Sequence, residues 1–503
     1  MRKAWLFMVL IALPGIAQAS VTKPSTPIAT DSLAVAHGKL NEAVELEQRG
    51  DTAAAMALLQ EILQSPAFTK LSPKEQQAAM LLGGSIEYRR GDYKSARGLF
   101  VKATDNPSTA LAWQARLGAS YRIKDYRDAA LCAVAIAKQW PNELSNIRDG
   151  TFYILEDELD AANASDRELA LLEALFDAHW SSEKGDSSYF WLELTRLLID
   201  RGAIAKANIV ARNIHSARAV IAMRVDKRFD AVVRTTEGSF DVDRVAKEEI
   251  QQAEVFSREH PDKLAPQIRL LSLLNDSLQY TRALAIADDI NASVADGKGP
   301  GVYKDFSDQY LSMLSQRSRA LEGQGRWDEA VAQRASAVQH NEYGAISQAI
   351  SLANLDANLL RPTEALEALA KLDAPANAGR TSSHGRMQQE RILLKISVQQ
   401  KDEKGIATHM AYLRNNRDHD VGAWEDAFLI TGDDDAAAKL LIERLHSTKW
   451  RNDALLEMQN YADTQTAPFY QGMQKHWKNV VQRPEVLNAA NEVGRIESFH
   501  LAR

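Results

Sequence analysis

Residues 78–108 read AAMLLGGSIEYRRGDYKSARGLFVKATDNPS, and small and apolar positions recur in this stretch at spacings of three and four. That period predicts two helices. Gly91-Asp92 stands between them. Glycine tolerates the backbone of a sharp helix stop, and aspartate caps the helix that follows. Ala96, Phe100 and Ala103 then share one face of the second helix, and Pro107 closes the repeat. The pattern precedes this stretch as Gly50-Asp51, Ala55, Leu59, Ile62 and Pro66. It follows as Leu117, Gly118 and Tyr121, then Tyr126, Ala129 and Pro141, in a repeat whose turn reads as one residue short.

Fainter copies continue along the chain. Gly202, Ala207 and Ala211 mark one, and Tyr280, Ala283 and Ala287 another. Gly325-Arg326-Trp327-Asp328-Glu329-Ala330 is a full turn and helix start, with Arg334 where an aromatic or leucine is expected. Pro362, Ala365, Leu369 and Leu372 mark the next, and Gly432-Asp433, Ala437 and Leu441 one near the C-terminus. About nine repeats are recognisable. Breaks fall at Ser181–Ser188, at 226–243, at Asp296–Gly301 and at Ala374–Gly385, the last a hinge or mobile-loop candidate from its Gly/Ser/Pro content. No series of segments alternates apolar and polar residues, so a β-domain is not expected.

The helix–turn–helix with Gly84, Tyr93, Ala96 and Phe100 at these offsets resembles the tetratricopeptide repeat. The resemblance implies an all-α fold, with antiparallel helix–turn–helix repeats stacked into a right-handed superhelical solenoid. It also implies a concave groove for an extended peptide or a partner's helix, with no covalent chemistry. The groove positions of the clear repeats map to Glu47, Ser85, Tyr88, Arg89 and Arg122. Tyr88 lies one residue past the aromatic position of the first helix and is expected to face the groove. Arg122 reads as its equivalent one repeat on. Leu81 and Ser85 stand where a carboxylate-binding groove of this family wants Lys and Asn, so capture of a chaperone tail is not expected.

The N-terminus has a different pattern. Arg2 and Lys3 precede the apolar run Trp5–Leu13, Pro14-Gly15 break it, and Ala17-Gln18-Ala19 is a small-residue cleavage site. This order predicts a secretory signal cleaved after Ala19 and a periplasmic mature chain. The run is about half the ~20 residues that a membrane span needs, and no later segment approaches that length without charges. The organisation expected is a signal peptide over 1–19, a flexible leader over 20–31, clear repeats over 32–144 and degenerate repeats over 145–260 with the irregular stretch 226–243. A second array over 261–466 and a capping tail over 467–503 follow.

Composition narrows the function. The chain has 503 residues, 45% of them hydrophobic, which is ample for a large core. Its 60 basic and 67 acidic residues leave a net charge of −7, and a nucleic-acid partner would call for a basic excess. The single Cys132 cannot form an intramolecular disulfide and reads as a buried apolar residue. Arg49-Gly50-Asp51 and Arg90-Gly91-Asp92 are turns rather than adhesion motifs. Asn163-Ala164-Ser165 and Asn291-Ala292-Ser293 read as chance sequons. Asp418-His419-Asp420 and Asp433-Asp434-Asp435 lack metal-ligand spacing and sit where helix caps are expected. No phosphate loop or nucleophile elbow is present, and no metal or cofactor is expected. The reading is a non-catalytic periplasmic scaffold, in envelope or export-complex assembly, for an unidentified protein or peptide partner. The alternative is a cell-wall or polysaccharide-processing enzyme with a cryptic site, which converging carboxylates in a cleft would favour.

Overall fold

The computed structural model describes residues 32–105, 109–234, 237–295, 298–339, 345–373 and 381–502. The segments expected to be a signal peptide (1–19) and a leader (20–31) lie outside them, as do Pro107 and parts of the expected loops at 296–301 and 374–385. The fold is all-α, built from antiparallel helix pairs. Its one sheet among the described residues is a two-residue parallel pair. No helix among these residues is long and apolar enough to cross a membrane. Packing separates one compact unit ending at Trp180 from another beginning at Ser181. The division falls at the head of the polar run 181–188.

The first unit holds four helix pairs: α1 (Ser32–Gln48) with α2 (Thr52–Gln64), α3 (Pro73–Arg90) with α4 (Tyr93–Ala103), α5 (Ala110–Arg122) with α6 (Tyr126–Gln139), and α7 (Asp149–Ala161) with α8 (Ser165–Asp177). Each pair turns on one left-handed residue: Gly50 (φ +84°), Gly91 (+87°), Lys124 (+62°) and Asn163 (+49°). The next amide closes the turn on the carbonyl five residues back, as Asp51 N–H does to Leu46 at 2.9 Å and Asp125 N–H to Ser120 at 2.9 Å. Asp51, Asp92 and Asp125 then cap the second helix, accepting from Ala54, Ser95 and Asp128 amides at 3.2, 3.0 and 3.1 Å. The third turn is therefore of full length: Lys124 takes the glycine's place.

The second unit repeats the device. Its pairs are α9 (Ser188–Asp200) with α10 (Ile204–Ala211), α13 (Leu264–Asp276) with α14 (Tyr280–Val294), α15 (Phe306–Gly323) with α16 (Trp327–Gln339), α17 (Ala345–Asn358) with α18 (Pro362–Ala370), α19 (Ser383–Gln400) with α20 (Glu403–Asn415), and α21 (Val421–Thr431) with α22 (Asp434–His446). The left-handed residues are Gly202, Leu278, Gly325, Leu360, Lys401 and Gly432. Between the first two of these pairs, α11 (Ala217–Val225) and α12 (Val242–Glu259) are joined by 3-10 turns instead, across the irregular stretch 226–243. After α22 come α23 (Arg451–Glu457), β1 (Asn460–Tyr461), α24 (Pro468–Val481), α25 (Pro484–Val493) and β2 (Ser498–Phe499).

The tail returns to the early helices of the second unit. Arg495 N–H donates to the Val225 carbonyl at 2.8 Å, and Ala502 N–H to that of Asp276 at 2.7 Å. The Arg495 guanidinium holds Asp230 at 2.7 Å, and Arg224 holds Glu497 at 2.7 Å. Phe499, Leu501 and Ala502 are buried. A Cβ on Gly494 would lie 2.5 Å from the Val225 carbonyl oxygen, so only glycine allows this approach.

One register runs through the pairs. Five residues after the left-handed position stands a buried alanine in eight of them: Ala55, Ala96, Ala129, Ala207, Ala283, Ala330, Ala365 and Ala437. Seven before and nine after it, volumes trade. Gly84 faces Phe100 so closely that a Cβ would sit 2.4 Å from Phe100 Cε1. Leu117 and Ala133, like Leu271 and Ala287, take the same two positions with the sizes exchanged, and all four are buried. At the equivalent of Phe100, Arg334 is ion-paired with Glu322 at 2.6 Å.

Candidate functional site

The aromatic and basic side chains expected at a groove gather at the corners of the turns. Tyr88, on the last turn of α3, packs edge-on against Tyr93, the first residue of α4, with ring centroids 4.9 Å apart. Arg122 lies over the Tyr93 ring, 4.7 Å from its centroid, and donates to the Tyr93 hydroxyl at 2.7 Å. Tyr121 and Tyr126 repeat the edge-on contact one pair later at 5.9 Å. The spacing Asp92 to Asp125 makes Tyr121 the counterpart of Tyr88, and Arg122 that of Arg89, which corrects the assignment of Arg122.

Five candidate residues thus have different fates. Arg122 is exposed, Tyr88 is half-buried, and their contacts meet at Tyr93. Arg89 is turned back on the preceding pair, in an ion pair with Glu47. Glu47 and Ser85 are buried, 5% and 6% exposed, so neither is displayed to a partner. Burial raises the Tyr88 hydroxyl above its ordinary range, against the pull of Arg122. The hydrogen bond to Tyr93 holds Arg122 in its charged form. Tyr93 and Tyr126, the partners at each corner, are missed by a search of first helices alone. Their position directly after the capping Asp is the signal that finds them.

Residues flagged for other chemistry have structural duties. Burial pushes the Cys132 thiol well above its usual range. Asp420 caps α21 through the Ala423 amide at 2.9 Å, and Asp433 caps α22 through that of Ala436 at 3.0 Å. Asp434 and Asp435 meet His476 at 2.7 Å and Arg483 at 2.6 Å.

Acidic side chains converge in the second unit. Arg444, 1% exposed, binds Glu425, also buried, and reaches both oxygens of Glu457 at 2.8 and 3.0 Å. Desolvation drives the Glu425 carboxyl up to about 8 against the Arg444 charge, and Glu457 and Asp426 add to the rise. Glu425, Asp426, Glu457, Tyr470 and Trp477 line a cavity of about 30 Å³. Ligand pockets are typically ~300–1,000 Å³, so no glycan ring enters here. A larger cleft of about 450 Å³ lies beside the tail, but its acids are engaged, Glu254 with Arg282 and Asp243 with His500.

No family model matches the chain, and no curated protein matches it. Among solved structures, the chain is similar to a complex of Naa15/Naa10 bound to HypK-THB (14% identity, 91% of this chain and 70% of that one, TM-score 0.26). It is similar to a Rap protein complexed with Competence and Sporulation Factor (12%, 89% and 99%, TM-score 0.32). A third is yeast Tom70 (11%, 84% and 100%, TM-score 0.24). Likenesses this distant carry no argument about function. The class rests on the molecule's own turns and packing register.

Proposed function

We propose that the protein is a non-catalytic scaffold that binds a protein or peptide partner. The observation that carries this is the corner of the first unit. A tyrosine pair recurs on successive repeats, and exposed Arg122 lies over the first of them. Tyr and Arg are the types most enriched at binding hot spots, where large contact area meets directional hydrogen bonding. The order of charged, apolar and small residues over 2–19 supports a periplasmic site of action, with a role in envelope or export-complex assembly.

A photo-cross-linking residue at position 122, followed by mass spectrometry, tests the reading in intact cells. A discrete adduct with one envelope protein is the expected result. Absence of any adduct at 122, with adducts formed at the exposed Ile209 in the other unit, would contradict it. N-terminal sequencing is expected to find Ser20, and Met1 on protein from the cytoplasmic fraction would refute export.

A further inference from the structure

From Tyr88 to Arg127 the chain carries nine Lys and Arg against three Asp and no Glu, on a molecule whose net charge is −7. Folding neutralises part of this excess. Glu47 holds Arg89, Glu87 lies 3.6 Å from Arg90, and Asp128 is shared by Arg97 and Arg116. Four others, Lys94, Arg122, Lys124 and Arg127, stand exposed at the two corners. None of the four has a carboxylate within ion-pair distance among the described residues. Asp92 and Asp125, the acids of the same turns, cap their helices, and Asp125 also pairs with Arg97 at 3.0 Å. Beyond the second corner the sign reverses, with Asp157, Glu158 and Asp160 exposed at the end of α7. Burial and the nearby Glu158 raise the Tyr121 hydroxyl, so the acids of α7 mark the limit of the basic edge.

Local stability does not ask for three of these charges. Lys94 and Arg127 stand three residues after the left-handed position, in the first turn of α4 and of α6, where the helix dipole disfavours a cation and favours an acid. Of the other eight pairs, three hold an aspartate there, Asp166, Asp328 and Asp435, and one a cation, Lys404, which follows Glu403. Lys124 occupies a left-handed position that suits glycine better. Arg122 lies over the Tyr93 ring and makes one side-chain hydrogen bond, to the Tyr93 hydroxyl. A guanidinium has five N–H donors in a planar fork, so this stacked Arg122 keeps an edge that can take a carboxylate through two of them.

We propose that the turn edge of the second and third pairs binds an acidic segment of a protein partner. This rests on the scaffold reading and names the chemistry of its partner. Arg122, Lys94 and Arg127 take Asp or Glu side chains of the segment, on the one stretch of the first unit where an acidic molecule carries a positive surplus.

Fluorescence anisotropy of the peptide acetyl-Gly-Asp-Glu-Asp-Glu-Gly-amide, carrying a neutral dye, tests this on the full chain. The peptide is expected to bind, to weaken as sodium chloride rises from about 50 to about 300 mM, and to lose binding when its acids are replaced by Asn and Gln. Lys94→Glu/Arg127→Glu puts acids where the helix dipole favours them, so the fold is expected to hold while affinity falls by roughly tenfold or more. Lys404→Glu, the same change at the equivalent position of the second unit, is expected to leave binding unchanged. Equal binding of the acidic and amide peptides overturns the proposal, as does equal loss in the Lys404→Glu variant or no loss in the double variant. Binding to phosphatidylglycerol vesicles without binding to the peptide also overturns it and assigns the edge to a lipid surface. An adduct at position 122 whose partner segment has no acidic excess overturns it with the scaffold reading intact. The peptide thus decides the chemistry of the edge and the adduct decides the scaffold reading, so the two fail separately.

Discussion

Gly84 and Gly91 sit seven residues apart and separate two different demands on glycine. A Cβ at Gly84 collides with Phe100, whereas one at Gly91 meets nothing within 4 Å but must adopt φ +87°. Gly84→Ala is therefore expected to cost about 1–3 kcal/mol through overpacking. Gly91→Ala should cost ~1–2 kcal/mol through its backbone alone. Phe100→Ala, at a fully buried site, should cost about 3–5 kcal/mol. Denaturant titrations of the first unit's transition check all three. Wild-type stability in Phe100→Ala would remove Phe100 from the core. A buried lysine gives a pH signature in the other unit. Lys395 is 2% exposed and donates to Asn354 and Asn358 at 2.9 and 2.8 Å. Burial, with Arg391 adding to it, lowers its ammonium to about 7. The unfolded chain then holds this proton over a range where the folded chain does not, so stability rises with pH above about 7 up to the free lysine's own range. Lys395→Met should flatten that rise. An unchanged slope would show that Lys395 stays charged.

At the scale of the element, the turn is the unit of design. Ten pairs share one left-handed residue, and only five of these are glycine. Leu360 holds φ +61° with its side chain 52% exposed, so little packing is lost on truncation. Leu360→Gly is expected to stabilise the second unit by up to about 1 kcal/mol, the relief of left-handed strain less glycine's entropy. A loss of stability would mean that the leucine makes a contact worth more than the strain. The same turns explain what the sequence reveals. Eight pairs carry the buried alanine five residues after the turn and can be read directly. The two that escape reading turn on Asn163 and Lys401, and have Glu168 and Ile406 where the alanine belongs. Size exchange hides more, since Gly84/Phe100 and Leu117/Ala133 fill one space with opposite residues. The corner is legible as residue types, but a register of 33 rather than 34 decides that Arg122 matches Arg89. That Glu47 and Ser85 are buried follows from packing between pairs, which no single repeat encodes. The acidic cavity leaves one trace in the sequence, Glu425 seven residues before Gly432, a position that Glu156 holds before Asn163.

For the whole molecule, each compact unit has its own logic. The second is held by contacts far apart in sequence, with residues 494–502 laid on 218–230 and on Asp276. Removing 494–503 should raise hydrogen exchange in α11 and in the segment 226–232, and leave α1 to α8 unchanged. Unaltered exchange in α11 would show that the tail adds nothing to the fold. The central claim is that binding, without chemistry, runs through the first unit's repeated corner. Titrating the cross-linked partner against wild type and the double variant Tyr88→Ala/Arg122→Ala tests this most directly. The account predicts affinity weakened by roughly tenfold or more, as for loss of a hot-spot residue, with an unchanged melting curve. Equal affinity for both proteins, at equal stability, would contradict it.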